Sequence, residues 1–194
     1  MPDVTTVPSW YPGDEVKPAP MPLLSVQAFL NTHDYEDDSD LLSDPDAART
    51  WLVKAELLRP DTPLTARDLE FARRVRESIR SLLKPADGGD RAPRHLRPLR
   101  ELSDTHCARL TLDDHGRLAL ENPRRDDLAD GLFGLLLIIR FAQEQGSWNR
   151  LKACANPDCR WVFYDRSRNQ QGNWCDMAVC GNRIKNRTLR ARRR

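Results

Sequence analysis

Four of the five cysteines stand in two equally spaced pairs, Cys154-x4-Cys159 and Cys175-x4-Cys180, with fifteen residues between the pairs. Thiolates are soft ligands, and two spaced pairs joined by a loop can close a tetrahedron around a zinc ion. Asn156-Pro157-Asp158 suits the tight turn between the first two ligands. One pair at this spacing is a weak signal. Two equal pairs point to a single Zn²⁺ held by Cys154, Cys159, Cys175 and Cys180, against the competing readings of two disulfides or four unligated thiols. No histidine or carboxylate nearby offers a position for water or substrate, so the ion is expected to be structural and not catalytic.

The elements around these ligands follow from their neighbours. Trp161 and Phe163 alternate with Val162 and Tyr164 as in a short strand, and Trp174 directly precedes the third ligand. Asp176 can cap a helix that begins after Cys175 and carries Cys180 in its early turns. Continuing that helix places Arg183, Arg187 and Arg190 along one face, with Lys185 and Arg192, Arg193 and Arg194 nearby. Guanidinium groups suit phosphate oxygens and guanine edges, while Asn182 and Asn186, four apart, suit adenine. A module this small has little core, so its metal is expected to contribute on the order of ~10 kcal/mol to folding.

Charge is distributed to match. The net charge is +2, but residues 151–194 hold 11 Lys/Arg against 3 Asp/Glu, a balance of +8. The remaining residues hold 20 against 26, a balance of −6. An acidic body with a basic, polyanion-seeking end is the expectation. The longest apolar run, residues 135–139, is five residues, far below the ~20 of a membrane span. With no signal-peptide pattern at the start, the expected location is the cytosol, where thiols persist as metal ligands.

The rest of the chain reads as the body that must position this module. Residues 1–22 hold six of the 14 prolines and are expected to be a flexible or extended arm. In the segment 23–32, Leu24, Val26, Ala28 and Leu30 alternate, leaving strand and short helix both open. Residues 33–43 are acidic and loop-like. Ser43-Asp44-Pro45 starts a helix with Ala48, Trp51, Leu52, Ala55 and Leu58 on one face, ended by Pro60. Thr65 and Asp68 resemble a capping box for a helix with the stripe Leu69, Ala72, Val75, Ile79, Leu82 and Leu83. The arginines between them are expected to form a solvated face. A loop over 85–93, a short helix around Leu96, Leu99 and Leu102, a hairpin from 108–112 and 117–120, and an apolar helix over 128–143 complete the body. The expected fold is α+β: a mainly helical domain over 23–146 with a small hairpin, then a small treble-clef-like zinc finger over 151–194.

Two further pairs invite chemistry. Cys107 beside His106 could be a reactive pair or a second metal site, but neighbours on a strand face apart, which favours a plain thiol. His33-Asp34 could line a ligand pocket or be a loop. No serine, cysteine or carboxylate set has catalytic spacing, so no enzyme is expected.

The segment 154–183 resembles the CGNR zinc-finger family. The matching residues are both cysteine pairs, Trp161 through Asn169, Trp174 through Val179, and the tetrapeptide Cys180-Gly181-Asn182-Arg183. Upstream, Phe29-Leu30-Asn31-Thr32 and Leu41 through Pro45 with Trp51-Leu52 are similar to the ABATE domain that usually precedes this finger. The resemblance implies a bacterial, stress-related transcription regulator whose finger binds zinc and contacts DNA. Where the family tends to carry a basic stretch, this chain has Gln170-Gln171-Gly172-Asn173, which moves the expected phosphate contacts to the tail. Duplex DNA is the expected partner. A small-molecule effector and a second copy are candidate partners of the N-terminal domain, and membranes are not. RNA binding, or docking of a protein, is the alternative. Exposed Trp161, Tyr164 or Trp174 would favour single strands, and burial of these rings would favour duplex DNA.

Overall fold

The computed structural model describes residue 11 and residues 15–83 and 93–192. Helix α1 (Leu23–Leu30) is buried on nearly every side, which is why its sequence shows no clear helical stripe: an element enclosed all round has no polar face to mark the period. A two-residue bridge, β1 (His33–Asp34) with β2 (Ser39–Asp40), follows it. In α2 (Pro45–Lys54) the Asp44 side chain accepts from the amides of Asp46 and Ala47. This helix ends six residues before Pro60. Glu56 adopts a left-handed φ of 58°, and the amides of Leu57 and Leu58 both donate to the Leu52 carbonyl, turning the chain.

Helix α3 (Ala66–Leu82) has the expected capping box of Thr65 and Asp68. Its apolar stripe is buried, but the expected solvated arginine face is corrected at two positions, because Arg76 and Arg80 are 2% and 1% exposed. Arg76 makes a two-pronged pair with Asp40 at 2.7 and 2.6 Å. Arg80 donates to the Leu30 and Arg160 carbonyls and pairs with Glu77. A buried guanidinium persists only when its donors are met in this way.

Helix α4 (Pro93–Thr105) tolerates Pro98 inside it, with Leu99 and Leu102 packed on the core. The loop expected over 85–93 lies, but for Pro93, outside the described residues. Strands β3 (Arg109–Leu112) and β4 (Leu118–Glu121) form the expected hairpin. Helix α5 (Leu128–Glu144) starts at an Asp127–Asp130 capping box and buries Leu132, Leu135, Ile139 and Ala142. Burial of each large aliphatic side chain is worth about 1.5–3 kcal/mol, which makes α5 the centre of the core. The short antiparallel pair β5 (Leu151–Ala153) and β6 (Val162–Tyr164) and helix α6 (Asn182–Arg192) complete the chain. Among the described residues, no helix is long and apolar enough to cross a membrane.

Val162, Tyr164 and Leu151 belong to the same buried cluster as α1, α3 and α5. The finger strands therefore share the core of the helical body. The flexible-arm expectation for residues 1–22 is corrected over 15–22, where the chain packs against both parts. The Lys17 carbonyl accepts from the Tyr164 amide, the Lys17 ammonium donates to the Trp174 carbonyl at 2.7 Å, and the Trp161 indole donates to Glu15 at 2.6 Å.

Candidate metal centre and basic helix

The four cysteines come together. Cys154 leaves β5, Cys159 precedes β6, and the turn between them is closed by the amides of Cys159 and Arg160 donating to the Asn156 carbonyl. Cys175 and Cys180 bracket the start of the last helical segment. Asp176 accepts from the amides of Ala178 and Val179, capping a wide turn over Met177–Gly181 that continues into α6. The order is therefore strand, cysteine turn, strand and helix, with the second cysteine pair at the start of the helical segment.

All four thiol sulfurs lie within 4.8 Å of one another. Cys159 and Cys175 are 3.6 Å apart and Cys175 and Cys180 are 3.7 Å apart. A disulfide requires about 2.05 Å, and all four cysteines are free. The edge of a tetrahedron with metal–sulfur bonds of about 2.3 Å is about 3.8 Å, so the donor set and spacing fit a zinc-sized ion. Hydrogen bonds from Cys159 and Cys175 hold the Cys154 thiol down to about 2. Its bond to Cys154 pushes the Cys159 thiol up to about 12, and the Cys175 thiol is also raised by its bond to Cys154. Thiolates this close repel one another, and a divalent cation is what would let all four ionise together. Buried Asn156 directs its amide nitrogen at the Cys180 sulfur, 3.7 Å away, as a second layer of support.

The aromatic rings serve this centre. Trp161 and Trp174 pack against the cysteine cluster, while Phe163 and Tyr164 are buried. The loop 165–173 is tied down by Asp165. Burial raises its carboxyl, but hydrogen bonds from Ser167, Lys152 and the Gly172 amide outweigh burial and hold it well below the usual carboxylate range. A Cβ at Gly172 would meet that carboxylate at 2.9 Å. The Gln170–Asn173 stretch is thus held by Lys152 and Asp165, and Lys152 also donates to the carbonyls of Gln170 and Gly172.

Of the residues expected on nucleic acid, Asn182, Arg183, Lys185, Asn186, Arg187 and Arg190 lie on α6 and are exposed. Arg183 pairs with Glu36 at 2.7 Å and Arg187 with Asp158 at 2.7 Å, while Asn182 donates to the Ala178 carbonyl. Arg192 ends α6, and Arg193 and Arg194 lie outside the described residues.

Several residues outside the cysteine motif tie the finger to the body. Asn31 uses both ends of its amide on Val162, accepting from the amide and donating to the carbonyl at 2.8 Å each. Gln27 donates to the same carbonyl at 3.0 Å. Gln27 is marked only as an amide inside an otherwise apolar helix, whereas Asn31, the residue that ends this helix, stands in the Phe29–Thr32 segment that resembles ABATE. Tyr35 lies between Arg80 and Arg160, with guanidinium carbons 5.0 and 4.3 Å from its ring centre. His33 packs against Tyr35 with ring centres 3.9 Å apart and lies 3.9 Å from the Glu77 carboxylate. A cavity of about 960 Å³ lies between α3 and the finger, bordered by Arg80, Leu83, Trp148, Lys152 and Arg160. Cys107 is an exposed free thiol, and His106 turns away from it to face Asp130 at 3.5 Å.

Among curated proteins, none matches this chain. Residues 150–193 match the CGNR zinc finger, and residues 25–145 match ABATE. The two stand in the order expected from the motifs and together span most of the chain, which belongs to the ABATE family, described as "Putative stress-induced transcription regulator", and carries a CGNR zinc finger behind that domain.

Proposed function

We propose that the chain is a DNA-binding transcription regulator in which one structural Zn²⁺ on Cys154, Cys159, Cys175 and Cys180 braces α6 as the DNA-contacting element. The observation that carries this is the rooting of α6 in the metal centre: Cys180 and the Asp176 cap fix its first turns, and its basic side chains stand exposed beyond them. Lys185, Asn186 and Arg190 meet the duplex first. Arg183 and Arg187 are held by exposed ion pairs, which are weak and are readily exchanged for phosphate. Tyr164 is buried and Trp161 and Trp174 are half-buried against the cysteines, an arrangement that favours a duplex over a single strand. The helical domain senses or dimerises. An effector in the cavity between α3 and the finger would touch both parts. This reading assigns the chain binding and no reaction.

The test is a titration of the full chain, with zinc quantified, against labelled duplex DNA at several salt concentrations, beside a variant truncated after Gly181. One zinc per chain is expected. With about 5–7 phosphates neutralised, affinity should fall roughly 1,000-fold between about 50 and 200 mM salt, and truncation should abolish it. Equal binding by both proteins would refute the role of α6. Absence of DNA binding by the zinc-loaded chain would leave the finger as a protein-docking element.

A further inference from the structure

The β3–β4 ribbon carries a face that the described residues leave exposed. Its register pairs Leu110 with Leu120 and Leu112 with Leu118. Cross-strand partners two residues apart share a face, so all four leucines point the same way. They are 61%, 37%, 66% and 66% exposed in that order. An isolated two-stranded ribbon is marginal in water and needs a third layer against its apolar side. Beside it lies a groove of about 670 Å³ between β4 and α5, walled by Leu57, Leu58, Leu120, Leu135, Leu137 and Ile138. Phe141, one turn further along α5, is 49% exposed.

We infer that this face is a homodimer interface: the leucine ribbon of one copy seats in the β4–α5 groove of a second copy, and the second ribbon in the groove of the first. Three observations select a second copy of this chain as the occupant. A protruding apolar ribbon and a largely apolar groove, which Arg59, Glu121 and Arg125 also border, stand side by side on one molecule, so a two-fold axis satisfies both at once with identical contacts. The area matches as well. A standard stable interface takes about 800 Å² from each partner, of which a little over half is apolar. The four leucines expose on the order of 400 Å², and Phe141 extends that to what such an interface needs. Charge excludes the polyanion as occupant, because the leucine face has no charged side chain and the opposite face sets Arg109 directly against Glu121. The partner is therefore apolar and self-complementary. Its consequence for DNA rests on the proposed function: two fingers would bind together, doubling the footprint of a module too small to bury much surface alone.

Association is measured on the full chain without DNA, by light scattering and sedimentation across the micromolar range. The expected mass is twice the 22.3 kDa of one chain. A Leu112→Glu/Leu118→Glu variant sets like charges opposite each other on the most exposed leucine pair, beside the turn, and should sediment as a monomer with an unchanged far-UV spectrum. Gly134→Leu is the second variant. A Cβ at Gly134 meets nothing within 4 Å, so the chain keeps its fold while the groove is filled, and dimer should again be lost. A wild-type monomer throughout this range, or a dimer indifferent to both variants, would overturn the inference. Because no DNA is present, either result leaves the titration of the tail helix to be decided by itself.

Discussion

Asp40 and Arg76 show how a single ion pair can hold two distant segments together. Asp40 ends β2 and Arg76 sits in the middle of α3, and their two hydrogen bonds at 2.6 and 2.7 Å tie the acidic loop to the helix. Burial pushes the Asp40 carboxyl up, but Arg76 and the Leu42 amide more than offset this and hold it below its usual value. Burial likewise raises Glu77, and Arg80, Tyr35 and Arg76 bring it below its usual value. A carboxylate lowered on folding stabilises the protein above its unfolded pKa and loses that contribution as pH falls through its folded pKa. Asp40→Asn should therefore cost about 2 kcal/mol at pH 6, less than the 3–5 of a fully enclosed pair because Asp40 keeps some access to water. Thermal melts of both proteins from pH 6 to pH 3 should show the gap closing on the acid side. A gap constant with pH would show that the carboxylate charge is not what matters. Arg76 was open to recognition in sequence, since Leu69, Ala72, Arg76, Ile79 and Leu83 themselves follow the helical period. Its charge argued for solvent, and only its partner Asp40, 36 residues away, reverses that.

Elements were legible where local rules act alone. The caps at Asp44, Thr65 and Asp176 each accept the expected amides, and the hairpin strands pair about the 113–116 turn. Tertiary surroundings decided the rest: α1 is helical because it is enclosed, and α2 stops early because Leu57 must pass beneath α5. That crossing is close. A Cβ on Gly131 would lie 1.9 Å from the Leu57 carbonyl oxygen, whereas one on Gly134, less than a turn away, would meet nothing. Gly131→Ala should thus destabilise the protein by about 3 kcal/mol through backbone overpacking. Gly134→Ala should stabilise it by about 0.5–1 kcal/mol, the ordinary helical preference for alanine. Denaturant unfolding of the two variants checks the contrast. Equal effects would mean that α5 does not rest on Leu57.

At the scale of the whole molecule, the cysteine spacing made the four-thiol cluster legible, but nothing local revealed that the finger is built into the body. Zinc-finger sequences read as appended modules because their ligands and caps are all contained within them. Here β6 lends Val162 and Tyr164 to the main core, Asn31 clasps Val162, Arg80 reaches the Arg160 carbonyl, and Lys17 spans to Trp174. The centre fixes both ends of this arrangement, since Cys159 lies three residues before Val162 and Cys154 follows β5 directly. Releasing the metal should consequently loosen β6 and with it the packing of α1 and α3. Chelation is expected to lower one common transition by at least about 10 °C, since a structural zinc site contributes on the order of 10 kcal/mol and each kcal/mol moves the midpoint about 2–4 °C in a chain of this size. Far-UV ellipticity, dominated by the helical body, and tryptophan fluorescence, weighted toward Trp148, Trp161 and Trp174, should move together. Two separate transitions, with the helical signal unmoved while the fluorescence melts, would mean that the finger can come away from the body without disturbing it. Coincidence would mean that metal occupancy is felt as far as α3, and that whatever acts on the helical domain has a mechanical route to the basic helix.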